Sequence, residues 1–377
     1  MLQRLYLKLA AASLLCMLAI GSRAALADTV YRQTNLVSDL NGVAALTDPD
    51  LQNPWGIAYG PKSPFWISNN GTSTSTLYGG AGNKITLPGN VAAVSVPGSP
   101  TGIVFNNTTG FNLPNNKPAA FLFAGEGGTL SGWNGGATAT QVKDMSSSNA
   151  VYKGLAIATV GSAPRLYATN FHAGAVDTFD SSFHYTGSFT DTTVGDGFAP
   201  FNVQNIGDHL FVTFAKQDAD KEDDIAGAGN GFVDEFNPDG TLVRRFASNG
   251  TLNSPWGVAL APKSFGQFGG DLLIGNFGDG RINAFDPTTG SFIGQLQGAS
   301  GPLTIEGLWG LKFGNGEAAG ATDTLFFTAG IPGPGGMVED HGLFGSITAV
   351  PEPSSGLLIV AGLACVVLLR KRVTGSV

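Results

Sequence analysis

Three features of the sequence predict an all-β chain whose sheets repeat around a ring. A motif recurs about every fifty residues, strand-length apolar segments alternate with Gly-, Asn- and Asp-rich turns, and no long segment has helical period. The best copies are Pro54-Trp55-Gly56 followed by Pro61-Lys62-Ser63, and Pro255-Trp256-Gly257 followed by Pro262-Lys263-Ser264, at the same mutual spacing. Weaker copies surround Thr101-Gly102-Ile103, Lys153-Gly154-Leu155, Phe201-Asn202-Val203 and Trp309-Gly310-Leu311. Aligned positions 56, 102, 154, 202, 257 and 310 are 46, 52, 48, 55 and 53 residues apart. Periods near 40–50 residues built from short strands point to a β-propeller, and six units point to six blades. A seven-bladed ring, a sandwich or a β-helix are the alternatives.

Each unit has room for about four strands. In the fifth they are expected at 256–260, 271–276, 281–285 and 291–296, with turns at 277–280 and 286–290. Candidate inner strands read Gly-Ile-Ala, Gly-Ile-Val, Gly-Leu-Ala and Gly-Val-Ala, and such small residues suit strands crowded at an axis. The sixth unit supplies only three strands, at 309–313, 324–328 and 343–349. Its fourth is expected from 30–37, which would close the ring by pairing the two ends and hide two sheet edges.

Composition narrows the function classes. The chain has 377 residues, and its two cysteines, Cys16 and Cys365, lie in apolar terminal segments. Residues 28–350 carry 14 Lys and Arg against 27 Asp and Glu, a net charge of −13, which argues against nucleic acid as a partner. A cysteine-free body excludes disulfide scaffolds, thiol catalysis and Cys-type metal sites. No Gly-x-Ser-x-Gly elbow, His-Glu-x-x-His pair or Walker loop is present.

The two ends read as addresses. Arg4 and Lys8, the apolar run 9–20 and Ala25-Leu26-Ala27 form a secretory signal over 1–27, placing the propeller in 28–349. Over 350–377 stand Pro351-Glu352-Pro353, an apolar segment at 357–369 and the basic cluster Arg370-Lys371-Arg372. This tail resembles the PEP-CTERM sorting signal of Gram-negative bacteria. The resemblance implies export through the inner membrane, transient anchoring by an apolar transmembrane segment, processing by an exosortase-type protease, and a final place at the cell surface or outside it. The repeat pattern, with Leu272-Leu273-Ile274-Gly275-Asn276-Phe277-Gly278-Asp279-Gly280 as its clearest stretch, resembles NHL-type propeller repeats. The whole chain is thus similar to a family of exported PEP-CTERM propellers, which implies a fold and an address but no activity.

Propeller topology places the loops between second and third strands on the same face as the loops joining blades. The longest of these, 215–230 and 330–341, carry much of the acid; His172 and His341 are expected on that face, with His209 a further candidate near it. Clustered carboxylates suit hard cations, so Asp218, Asp220, Asp223 and Asp224 are candidate Ca²⁺ ligands, with a solvated charged loop as the alternative. Glu306 stands where an inner strand begins, as does the acidic metal ligand of calcium-dependent lactonase propellers. By that resemblance Glu306, Asn202 and Glu126 form a second candidate metal set. His172, Asp279 and His341 are candidate ligand-binding residues. Trp55, Trp256 and Trp309 either stack on sugars or pack as core.

Two functions follow as expectations. The first is a binding protein without catalysis, engaging an extracellular polysaccharide or a surface protein through the loop-rich face. The second is a Ca²⁺-dependent hydrolase or lactonase at the channel mouth. Convergence of Glu306, Asn202 and Glu126 would favour the enzyme, and a channel plugged by Phe and Trp would favour binding.

Overall fold

The computed structural model describes residues 29–351. The proposed signal and, in the tail, Glu352, Pro353, Arg370, Lys371 and Arg372 lie outside the described residues. The chain divides into the unit Tyr31–Thr348 and a second one, Met1–Val30 with Ala349–Val377, whose described residues are the ends of two strands. Among the described residues no helix is long and apolar enough to cross a membrane.

The larger unit is a six-bladed β-propeller. Five blades are four-stranded antiparallel sheets in chain order, and the sixth draws on both ends of the chain. The inner strands of blades one to six are Pro54–Ala58, Pro100–Phe105, Tyr152–Val160, Phe198–Ile206, Pro255–Leu260 and Leu308–Phe313. Every aligned position of the repeat therefore lies in an inner strand. In blade five the remaining strands, Leu272–Asn276, Ile282–Phe285 and Phe292–Gln295, match expectation to within a residue or two at each end.

The inner-strand glycines are there because the next blade leaves no room. A Cβ on Gly56 would stand 2.5 Å from the Thr101 carbonyl oxygen, and one on Gly310 would stand 2.7 Å from Ile57 Cγ2. Gly102 faces Leu155, Gly154 faces Asn202 and Gly257 faces Leu311 in the same way, so the column runs around the ring. Hydroxyls sew the same seam. Thr101 Oγ1 donates to the Tyr152 carbonyl at 2.8 Å, Thr169 Oγ1 to that of Phe201 at 3.2 Å, and Thr328 Oγ1 to that of Trp55 at 2.5 Å.

Apolar cores fill the gaps between blades. Trp66 of blade one stacks on Phe121 of blade two with ring centres 4.4 Å apart, and Phe189 of blade three meets Phe236 of blade four at 5.0 Å. Blade six has the order Leu308–Phe313, Leu325–Ala329, Leu343–Pro351, then Thr29–Ser38, so the first strand of the fold closes the ring as expected. Ser38 Oγ donates to the Gly342 carbonyl at 2.7 Å, and the Tyr31 hydroxyl reaches the Phe265 carbonyl of blade five at 3.1 Å. A two-residue parallel pairing of Val37 and Ser38 with Leu46 and Thr47, and a small hairpin at 297–302, were not expected. Pairings this short leave no period to read.

One backbone bond repeats in all six blades on the loop-rich face. The residue following the second strand donates its N–H to the residue that turns into the inner strand: Asn70 to Asn53, Glu126 to Ser99, Phe171 to Val151, Gln217 to Gly197, Phe277 to Ser254, and Gly330 to Gly307. Asn53, Ser99 and Ser254 take positive φ of 43°, 54° and 46° to make that turn, a conformation small polar residues tolerate better than branched ones.

Candidate functional site

Two tiers of side chains converge where the inner strands begin. The lower tier is the residue just before each ring glycine position: Trp55, Thr101, Lys153, Phe201, Trp256 and Trp309. The upper tier is the donor of the repeated backbone bond: Asn70, Glu126, Phe171, Gln217, Phe277 and Gly330.

Aromatic rings seal the centre. Trp55 and Trp309 stack with centroids 3.6 Å apart, and Phe277 covers Trp309 at 4.0 Å. Trp256 stands edge-on to both indoles, and Phe201 and Phe171 extend the cluster. None of the three tryptophans is more than 4% exposed, so they pack on one another and present no open stacking surface.

Against this plug lies one cation. Lys153 is 1% exposed, and its Nζ sits 4.9 Å from the centre of the Trp55 ring and 6.0 Å from that of Phe171. It pairs with Glu126 of blade two and, at 3.3 Å, with Asp223 of blade four. Glu126 in turn accepts from Asn70 Nδ2 of blade one at 2.7 Å. Burial alone would lower the pKa of Lys153, but the charges of Glu126 and Asp223 outweigh it and hold the ammonium above its ordinary value. A lysine so held is a charged anchor and not a free nucleophile.

Two further carboxyls close the cluster. Glu339, from the long loop of blade six, accepts from Asn53 Nδ2 at 3.2 Å, while Asn53 Oδ1 accepts from Trp309 Nε1 at 3.1 Å. Burial pushes Glu339 up to about 7, with Asn53 and Lys153 pulling the other way. Burial likewise raises Asp224 to about 6, against the pull of Ser254 and Lys153. Lys153 thus ties loops from blades two and four, and two further carboxyls of the mouth, Glu339 and Asp224, are pushed up to about 7 and about 6.

The candidate site residues fall into separate places. Glu126, Asp223 and Asp224 belong to the Lys153 cluster. Asp218 Oδ1 instead accepts the Glu222 N–H inside its own loop, and Asp220 is exposed. Asn202 is bonded at both ends: Nδ2 donates to the Trp256 carbonyl at 2.7 Å and Oδ1 accepts the Val203 N–H at 2.8 Å. It thereby bridges blades four and five, where other blades use threonine. Glu306 is exposed and lines a separate cleft with Gln33, Asn41 and Ile331. Among the described residues no group of three His, Cys, Asp or Glu is placed to hold a metal ion.

Asp279 shapes its own turn, accepting from Asn276 Nδ2 and the Arg281 N–H. His341 Nδ1 meets Asp39 at 2.7 Å, and the same carboxylate accepts the Gly342 N–H, so the pair pins the last strand to the first. His172 is partly exposed in its turn. His209 begins the second strand of blade four, His209–Lys216, and so lies at the opposite end of the ring from the expected face.

Lys153, Asn53 and Glu339 were missed by sequence reasoning. For Lys153 the signal was present: it is the one cation in a register column of Trp, Phe and Thr. Asn53 and Glu339 become partners only through the fold.

No protein-family model matches the chain. It is 37% identical over 326 residues to the uncharacterized protein R648 of Acanthamoeba polyphaga mimivirus, covering 80% of this chain and 77% of that protein. It is 34% identical over 308 residues to the uncharacterized protein L690 of the same virus, covering 77% and 80%. Among solved structures, virginiamycin B lyase from Staphylococcus aureus is similar at 15% identity and a TM-score of 0.49, covering 86% of this chain and 100% of that one. With relatives this similar over most of both lengths, the chain belongs to the family that includes the mimivirus proteins R648 and L690.

Proposed function

We propose that this propeller is an exported binding protein that engages a polysaccharide or a protein through its loop-rich face, without catalysis in the channel. One observation carries the reading. The loops of that face are anchored inward by carboxyls and present apolar side chains outward. Asp224 is half-buried beside the Lys153 cluster while its neighbour Ile225 is 43% exposed. Glu339 is held by Asn53 while Met337 and Val338, just before it, are 76% and 39% exposed. Anchored loops with exposed apolar tips suit a binding surface, because little ordering is left to be done on association. The aromatic plug supports the same reading, since it occupies the place a channel substrate would need.

Export, transient anchoring and processing by an exosortase-type protease rest on the sequences of 1–27 and 350–377, and the NHL-like identity of the repeats rests on their Pro-x-Gly pattern. The secreted protein is expected to co-sediment with polysaccharide or surface-protein fractions of the producing cells. The double variant I225D/M337D is expected to keep its melting temperature and bind at least about tenfold more weakly, a loss of ~1.4 kcal/mol. Equal binding by the variant defeats the reading. Hydrolysis of an ester or lactone that E339Q abolishes would replace it with catalysis.

A further inference from the structure

Three neighbouring blades expose apolar side chains at one repeated position. Tyr185, Leu242 and Phe292 are the first residues of the outer strands of blades three, four and five, Tyr185–Phe189, Leu242–Ser248 and Phe292–Gln295. They and the second residues of the last two strands, Val243 and Ile293, are between 43% and 51% exposed. Blade two has Thr140 and Gln141 at this position, so the fold itself does not demand apolar residues there. All five lie at the end of the ring opposite the loop-rich face, because each outer strand begins after the turn that follows its blade's third strand. Leu260 ends the inner strand of blade five at the same end and is also exposed.

This rim is held rigidly. The turn before each of the three strands accepts a hydrogen bond from the preceding blade: the Ser181 carbonyl from the Phe111 N–H at 2.7 Å, that of Pro238 from the Tyr167 hydroxyl at 2.6 Å, and that of Pro287 from Arg244 Nη2 at 2.8 Å. Asp180, Asp239 and Asp286 in those turns accept N–H groups of their own turns. Apolar residues fixed in place have little ordering left to lose when something covers them.

The chain leaves the ring at this end too. The third strand of blade six runs from Leu343, paired with Ala329 beside the loop-rich face, to Ile347, paired with Leu325 at the far end. Thr348 is the last residue of the larger unit. Eight residues, 349–356, then precede the apolar segment at 357–369 and the cations Arg370, Lys371 and Arg372. Fully stretched, eight residues span about 29 Å at most. A tail anchored by that segment therefore keeps this end of the ring, and not the loop-rich face, next to the bilayer.

We propose that the rim of Tyr185, Leu242, Val243, Leu260, Phe292 and Ile293 dips into the bilayer interface, so that the anchored ring rests on the membrane with its loop-rich face turned outward. The inference rests on the anchoring proposed above and adds the face that meets the lipid. The contact is apolar, as for other side chains that bury at the headgroup boundary. A net charge of −13 over 28–350 gains nothing from anionic headgroups.

The test uses the full-length chain with C16S and C365S, reconstituted in phosphatidylcholine vesicles and carrying a polarity-sensitive fluorophore on one cysteine: I293C, L242C or, on the loop-rich face, I225C. Flotation with the vesicles reports anchoring separately from the fluorophore. The I293C and L242C labels are expected to shift to the blue and to lose intensity to spin-labelled lipid, and the I225C label to do neither. With L242S, V243S and F292S added, the I293C shift is expected to fall while flotation persists. A chain that floats with its I293C and L242C labels as in buffer overturns the proposal and leaves the anchoring standing. A chain that does not float overturns both. A blue shift that grows with protein concentration in the absence of vesicles assigns the rim to a second copy of this chain and overturns the lipid contact, as does an I293C shift that the three serines leave unchanged.

Discussion

Lys153 and Trp55 hold the same position in their repeats, and the ammonium of the first lies 4.9 Å from the centre of the second's ring. The register that stacks indoles elsewhere places a cation here, and the carboxylates of Glu126 and Asp223 make it tolerable. Removing the charge leaves those carboxylates without their partner. K153M is therefore expected to destabilise the fold by about 2–4 kcal/mol in denaturant unfolding, near the range for breaking a buried pair. Adding E126Q and D223N to K153M should recover part of that loss. A K153M protein as stable as wild type would mean the pair is not coupled to the fold.

Asn202 is a bridge between blades, and that assignment separates from a metal role. N202G restores the ring glycine but removes the bonds to the Trp256 carbonyl and the Val203 N–H. Its expected cost is about 1–2 kcal/mol. The cost should be the same with calcium and with chelator. A cost that appears only in calcium would return Asn202 to the metal ligands.

The ring glycines should be intolerant for a steric reason that surface glycines do not share. A Cβ at Gly56 would stand 2.5 Å from a backbone oxygen and 2.9 Å from Ile103 Cγ2. Neither blade can move alone, so G56A is expected to lose about 2–3 kcal/mol or more. Gly127 is a control on the same face of the ring, with its nearest neighbour atoms at 3.7 Å. G127A should stay within about 0.5 kcal/mol of wild type. Similar melting of both variants would show that the seam is looser than its distances.

The architecture was legible because the repeat copies its backbone demands. Pro-Trp-Gly marks where a strand enters the axis, and the absent fourth strand of unit six could be supplied only from the N-terminal side. The mouth was legible only in part. Glu126 and the acid loop stood out as clustered acid, and carboxylates by themselves read as metal ligands. Their counterion, Lys153, looked like one residue of a degenerate repeat. Asn202 misled because a broken glycine pattern signals a side chain with a task, and here the task is structural. Glu339 and Asn53 are 286 residues apart, and no local pattern joins them.

Stability should fall as pH rises from about 4 to about 7, and Glu339 should account for a measurable share. Below its ordinary value of 4.5 the group is protonated in both the folded and the unfolded chain. Between 4.5 and about 7 the unfolded chain releases the proton while burial makes the folded chain keep it. Raising the pH through that window therefore favours the unfolded chain, and the loss is complete above the folded value. Asp224, raised to about 6, and Asp234, raised to about 7 by burial, act in the same direction. Asp191 and Asp180 lie below their ordinary value of 3.8, so they remove stability only as the pH falls further. The two tendencies place maximal stability on the acid side of neutrality. E339Q, which cannot ionise, is expected to match wild type near pH 4 and exceed it by about 1–3 kcal/mol at pH 8, as the rise of Glu339 from 4.5 to about 7 by burial allows. Unfolding curves taken across that range decide it. Parallel profiles for E339Q and wild type would mean that Glu339 ionises in the fold without cost, and that the loop it anchors is wetter than its bond to Asn53 implies.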